Sequence, residues 1–169
     1  MTAKTLQSRG MLDATAHPAL RFKKILAPID FSPASKNAIN YALRFAEEFG
    51  ADLTLLHVLE PAPSTNFVAI PGATTFCEID FSTAEKNLRS AVASTRKAKS
   101  ERPSWKIRVG VPSHEIVEAA READVDLIVI ATHGYTGWKH FCIGSTAERV
   151  VRAAPCPVLV VREKEHEFC

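Results

Sequence analysis

The residues whose types and spacing point most directly to chemistry lie between Ala131 and Ser145, in the string A-T-H-G-x9-G-S. An apolar run, Leu127-Ile128-Val129-Ile130, precedes it, and Gly144-Ser145-Thr146-Ala147-Glu148 has the form of a helix start. A loop that leaves the C-terminal end of a strand and enters a helix presents backbone N–H groups and the positive end of the helix dipole. The chemistry this favours is anion binding, with phosphate as the expected ligand. Gly134 and Gly144 shape the loop, and the Ser145 hydroxyl adds a donor suited to phosphate oxygens.

Other polar residues have a functional reading and a plainer one. Asp30 ends the first apolar run, where it suits either a ligand contact or a cap on the helix that follows. Gly144 and Ser145 also satisfy the simple requirements of a helix N-terminus. His57 lies within an apolar strand and reads as a hydrogen-bonded core histidine rather than a base. His133, His140 and Lys139 lie in the loop, where phosphate contact competes with a solvated surface role. Tyr135, Trp138 and Phe141 either shelter a ligand or pack the loop down. There is no Walker A pattern, no complete G-x-G-x-x-G and no G-x-S-x-G elbow. No nucleophile stands beside a base and no carboxylate cluster suggests a metal cage, so the residues favour binding over turnover. Any Mg²⁺ would arrive with a triphosphate.

The elements that must position these residues alternate. Phe22–Ile29 reads as the first strand, and Ser32-Pro33 as an N-cap and first helical residue. The apolar face through Ala38, Ile39, Ala42, Leu43, Phe45 and Ala46 continues that helix to a stop at Gly50. Leu53–Leu59 is a nearly continuous apolar run, as expected of a strand buried on both faces. Pro61–Asp80 is a long connection, in the length class of lids, contacts and tolerated insertions. A polar helix is predicted from Ser82 or Thr83 to Ser100, with Ser82 and Glu85 as a capping box. Trp105–Val109 is a third strand, Ser113–Glu122 a third helix with Ser113 as cap, and Leu127–Ile130 a fourth strand. Helix Ser145–Ala153 and strand Val158–Val161 complete the pattern. This alternation predicts an α/β fold with a mostly parallel sheet. Ligands in such sheets sit beyond the strand C-termini at the switch point, which unites Asp30, Val58 and the Gly134 loop.

Composition agrees with one domain. The chain has 169 residues, 46% hydrophobic and 24% charged, enough for a sizeable core. Its formal net charge of +2 comes from interspersed signs, so nucleic acid is not an expected partner. The run Arg96-Lys97-Ala98-Lys99 reads as a solvated C-terminal turn. No apolar run reaches the ~20 residues of a membrane span, and Met1–Leu20 lacks a signal-type apolar segment. A cytoplasmic protein is expected. Cys77, Cys142, Cys156 and Cys169 lack metal-site spacing and are read as free thiols. Residues 1–21 read as a flexible N-terminal extension, 22–162 as the domain and 163–169 as a C-terminal tail.

The chain resembles the universal stress protein family over about Phe22–Arg162. The similarity lies in K-K-I-L-A-P-I-D-F-S from Lys23, L-L-H-V from Leu55, the loop, and P-C-P-V-L-V-V from Pro155. Nucleotide-binding members carry G-x2-G-x9-G-(S/T); here the second and third glycines fall on Gly134 and Gly144 and the hydroxyl on Ser145. The resemblance implies an open, Rossmann-like five-stranded parallel sheet of order 3-2-1-4-5 with helices on both faces. It also implies a homodimer through the last strand, and ATP at the switch point. By position, Pro28, Asp30 and Val58 match the adenine and ribose end. Gly134, Gly144 and Ser145 match the phosphate end, with Ala131, His133 and Thr146 beside them. The first glycine is replaced by Ala131: a positive φ there would make the methyl group interfere, and a negative φ would accommodate it. The implied function is an ATP-binding regulatory or stress-response module. A slow ATPase or phosphoryl-transfer enzyme, and a nucleotide-free interaction protein, are the alternatives.

Overall fold

The apolar runs become the strands of one parallel sheet in a computed structural model that describes residues 20–61, 81–95, 103–132 and 143–162. In chain order the elements are β1 (Lys24–Pro28), α1 (Pro33–Phe49), β2 (Asp52–Leu59), α2 (Phe81–Ser94) and β3 (Ser104–Val109). They continue with α3 (Pro112–Ala123), β4 (Leu127–Ala131), α4 (Ser145–Ala153) and β5 (Val158–Val161). The sheet order is β3-β2-β1-β4-β5 with every pairing parallel, as expected. The direction of winding reverses between β1 and β4.

Two apolar layers hold the helices to the sheet. Successive strand side chains point to opposite faces, so Ile25, Ala27, Leu55 and Val129 join α1 and α2 on one side. Leu26, Leu56, Ile128 and Ile130 join α3 and α4 on the other. The stripe Ala34, Ala38, Ala42 and Ala46 is buried along α1; small side chains at that spacing let the helix lie close on the central strands. Local chemistry bounds α1 as predicted. Ser32 accepts from the Ser35 N–H at 3.1 Å, Pro33 follows the cap, and Gly50 closes the helix at φ +63°.

Several expected boundaries move, most by a residue. Phe22 precedes β1 and packs edge-on against Phe49, with ring centroids 4.9 Å apart, so its apolar character serves a plug under α1 rather than a ladder. Helix α2 begins at Phe81, which places Ser82 inside the first turn, and it ends at Ser94 rather than Ser100. Glu85 is engaged with Arg89 one turn on. Ser113 is also helical and is not the cap: Pro112, with no N–H to satisfy, takes an opening position, and Val111 caps without a side-chain bond. The expected N-terminal extension apart from Leu20 and Arg21, nearly all of the Pro61–Asp80 connection, the Arg96–Lys99 run and the 163–169 tail lie outside the described residues. So do Cys77, Cys142 and Cys169, while Cys156 is a free thiol. Among the described residues no helix is long and apolar enough to cross a membrane.

At the N-terminal edge of the sheet, the Asp126 carboxylate accepts the backbone N–H groups of Lys23 and Lys24 at 2.7 and 2.9 Å. These bonds hold the carboxyl below its ordinary value. A lowered native value means stability that is complete at neutral pH and is lost as pH falls below about 4 through that native value. Asp126→Asn is expected to cost about 1 kcal/mol at pH 7, a charge-assisted bond discounted for solvent exposure. Urea denaturation at pH 7 and pH 3 should show the wild-type advantage shrinking at the lower pH.

Candidate functional site

A cavity of about 290 Å³ lies at the C-terminal edge of the sheet where β1 and β4 part. The parting follows from proline chemistry and ladder phase. The Asp126 N–H donates to the Lys24 carbonyl, and the Asp52 N–H to the Lys23 carbonyl. Even-numbered β1 residues therefore turn their backbone groups to β4 and odd-numbered ones to β2. Pro28 has no N–H to offer on the β4 side. The β1–β4 register accordingly ends at Leu26↔Ile128, while β4 continues to Ala131 paired with β5.

The cavity walls come from strand ends and helix starts. Pro28, Ile29 and Asp30 follow β1, Val58 and Glu60 come from the end of β2, and Ala131 and Thr132 end β4. Gly144, Ser145 and Thr146 open α4, and Pro112 and Ile116 reach in from α3. Thus Pro28, Asp30, Val58, Ala131, Gly144, Ser145 and Thr146 of the sequence reading meet around one space. His133 and Gly134, with Tyr135, Trp138, Lys139, His140 and Phe141, lie outside the described residues. Ser35, Glu60, Pro112, Ile116 and Thr132 were missed. Glu60 and Thr132 were findable by extending the strand-end rule one residue past β2 and β4. The α3 residues carried no such signal, because helix crossing places them.

The cavity differs in charge from one end to the other. At the β1–β2 end, Asp30 Oδ1 accepts the Ser32 N–H at 3.0 Å and the Ser32 hydroxyl at 2.6 Å, so Asp30 braces the cap residue Ser32 rather than capping α1 itself. Phe31 between them sits at φ +66°, a conformation costing a bulky residue ~1–2 kcal/mol. Its ring centroid is 4.6 Å from that of His57. His57 is half-buried and bonded, Nδ1 to the Ile29 carbonyl at 2.7 Å. At the other end, α4 starts at Gly144, whose N–H donates to the Thr132 carbonyl at 2.7 Å and which has no side chain to cap the helix. The first helical bond runs from the Glu148 N–H to Gly144. The amides of Ser145, Thr146 and Ala147 precede that bond and have no capping side chain, which makes this end an acceptor of negative charge.

Ala131 is the last residue of β4 and is not among the described non-glycine residues with positive φ. The backbone there makes no demand for glycine, and Ala131 is one of the residues lining the cavity.

These features define a doubly wound parallel α/β domain with a crevice at its switch point. The model of the universal stress protein family matches residues 21–162, and the chain belongs to that family. Universal stress protein MJ0531 of Methanocaldococcus jannaschii is 35% identical over 152 residues, covering 86% of this chain and 85% of the relative. The structure of universal stress protein UspA from Lactobacillus plantarum superposes with a TM-score of 0.74 at 28% identity, over 85% of this chain and 99% of that one. A universal stress protein in complex with cAMP shares the fold at 23% identity and a TM-score of 0.64, over 86% of this chain and 100% of that one.

Proposed function

We propose that this protein binds ATP in the β1/β4 crevice, with Mg²⁺ accompanying the nucleotide, and works in the cytoplasm as a dimeric regulatory module of the stress response. The observation that carries the reading is the cavity's charge polarity, with carboxylates at the β2 end and open amides at the α4 end. Asp30 and Glu60 disfavour phosphate near β2, while the α4 amides and the Ser145 and Thr146 hydroxyls suit phosphate oxygens. The nucleotide then lies with its base toward Pro28 and Val58 and its phosphates toward Gly144, with His133 and Gly134 continuing the phosphate end. The site's donors suit the phosphates, so Mg²⁺ is held chiefly by the nucleotide and water.

Val58 suits an adenine edge. Leu56 turns its carbonyl to β1 and Leu59 turns its own toward Gly110, so by alternation Val58 directs its N–H and C=O to the β1 side. Adenine offers N1 as acceptor and the N6 amine as donor, complementary to such a pair; hypoxanthine reverses both. Chromatography of nucleotide released from denatured protein, followed by calorimetric titration with Mg·ATP, tests the reading. The expected result is saturable 1:1 binding; no binding by the folded protein would remove the reading.

The dimer is assigned to β5. This strand is one of the two edges of the sheet, and the carbonyls of Pro157 and Val161 accept from β4-side amides. The backbone groups of Val158 and Val160 therefore face outward. Val160→Pro removes an outward donor and spares the β4 ladder. Sedimentation equilibrium is expected to show a wild-type dimer and a folded monomer for the variant. An undiminished dimer would place the contact elsewhere.

A further inference from the structure

We propose that His57 is a positioning residue: by holding the Ile29 carbonyl it ends the β1–β2 ladder one rung early and leaves the Val58 backbone to read a ligand. The proposal rests on the nucleotide reading above and assigns a role to a side chain outside the cavity wall.

In a continuing parallel ladder, Ile29 would donate to Leu56 and accept from Val58. The first bond is present at 2.8 Å. The Ile29 carbonyl instead lies 2.7 Å from His57 Nδ1, and the register ends at Pro28↔Leu56. A carbonyl oxygen only accepts, so Nδ1 carries the proton and donates. The imidazole replaces one backbone rung, and Val58, with its groups on the side β1 has left, lines the cavity. Phe31 completes the arrangement. Its backbone is left-handed at φ +66°, and its ring lies against the imidazole at 46°. Without the histidine, the Ile29 carbonyl is free to take the Val58 N–H and zip the ladder one rung further into the crevice.

The test compares ATP and ITP binding by calorimetry in the wild type, His57→Leu and His57→Asn. Asparagine places an amide N–H near the Nδ1 position. The wild type is expected to prefer ATP. His57→Leu should lose about tenfold in ATP affinity, a single hydrogen bond's worth, and the ATP/ITP ratio should fall toward one. His57→Asn should recover most of both. An unchanged ratio in the leucine variant, equal weakening of both nucleotides, or no rescue by asparagine would overturn the positioning role while leaving nucleotide binding standing. A wild type that binds neither nucleotide would overturn the nucleotide reading first and this role with it. Nitrogen NMR of ligand-free wild type supplies a check that needs no variant to fold: a proton on Nδ1 supports the proposal, and a ring protonated only at Nε2 overturns it.

Discussion

Gly144→Asp is expected to weaken ATP binding about 100-fold while leaving the fold as stable as wild type or a few tenths of a kcal/mol more so. Gly144 caps α4 with φ −59° and ψ 148°, a conformation open to any residue, so the substitution brings no backbone strain. Aspartate is among the favoured N-caps and improves on glycine by only a few tenths of a kcal/mol. Its carboxylate would bond the first-turn amides of α4 and place a negative charge where phosphate is expected. Two like charges about 4 Å apart repel by ~1 kcal/mol in water and ~4 kcal/mol at a partly buried effective dielectric. A loss near 3 kcal/mol is about 100-fold. Gly144→Asn supplies a neutral cap of the same shape and should lose far less. Calorimetry with Mg·ATP, paired with thermal denaturation, reads both quantities. Equal ATP affinity in the aspartate variant and the wild type would mean the phosphates do not meet α4.

Leu55→Ala is expected to carry the largest stability cost, about 3 kcal/mol, with a fall in Tm of roughly 6–12 °C. Leu55 is fully buried in the layer shared with α1 and α2, and it lies in register with Ala27 on one side and Trp105 on the other. Strand neighbours on both sides leave little room for collapse into the cavity. Leu159 offers the contrast: it is half-buried on the edge strand β5, and Leu159→Ala should cost about 1 kcal/mol in the isolated monomer. Urea denaturation of both variants in the Val160→Pro background, expected to be monomeric, decides it. Equal costs would show that β5 packs as deeply as β2.

Much of this architecture is local and therefore legible in the residues themselves. Parallel strands covered on both faces must be continuous apolar runs, so Leu53–Leu59 and Leu127–Ile130 announce themselves. Ser32-Pro33 and Gly50 delimit α1 because caps act within a turn of their own position. The start of α4 at Gly144-Ser145 was equally plain. Ser82 and Ser113 misled for a related reason: each has a cap's side chain, but the helices begin at Phe81 and Pro112. In α3 the local preference of Ser113 yielded to Pro112, which has no N–H to satisfy at an opening position.

Sequence alone determined that this chain folds as alternating strands and helices, with a turn after β4 where anion binding is expected, because burial pattern, caps and glycine–serine chemistry act between near neighbours. Tertiary structure alone decided how that turn becomes a site. Ladder phase aims the missing N–H of Pro28 at β4 and opens the crevice. Helix crossing carries Pro112 and Ile116 into its wall. Backbone conformation makes Ala131 acceptable where glycine was in question. The β1–β2 register brings His57 to a carbonyl 28 positions away in the chain. Each of these depends on the relative placement of residues distant in sequence, which periodicity and spacing do not encode.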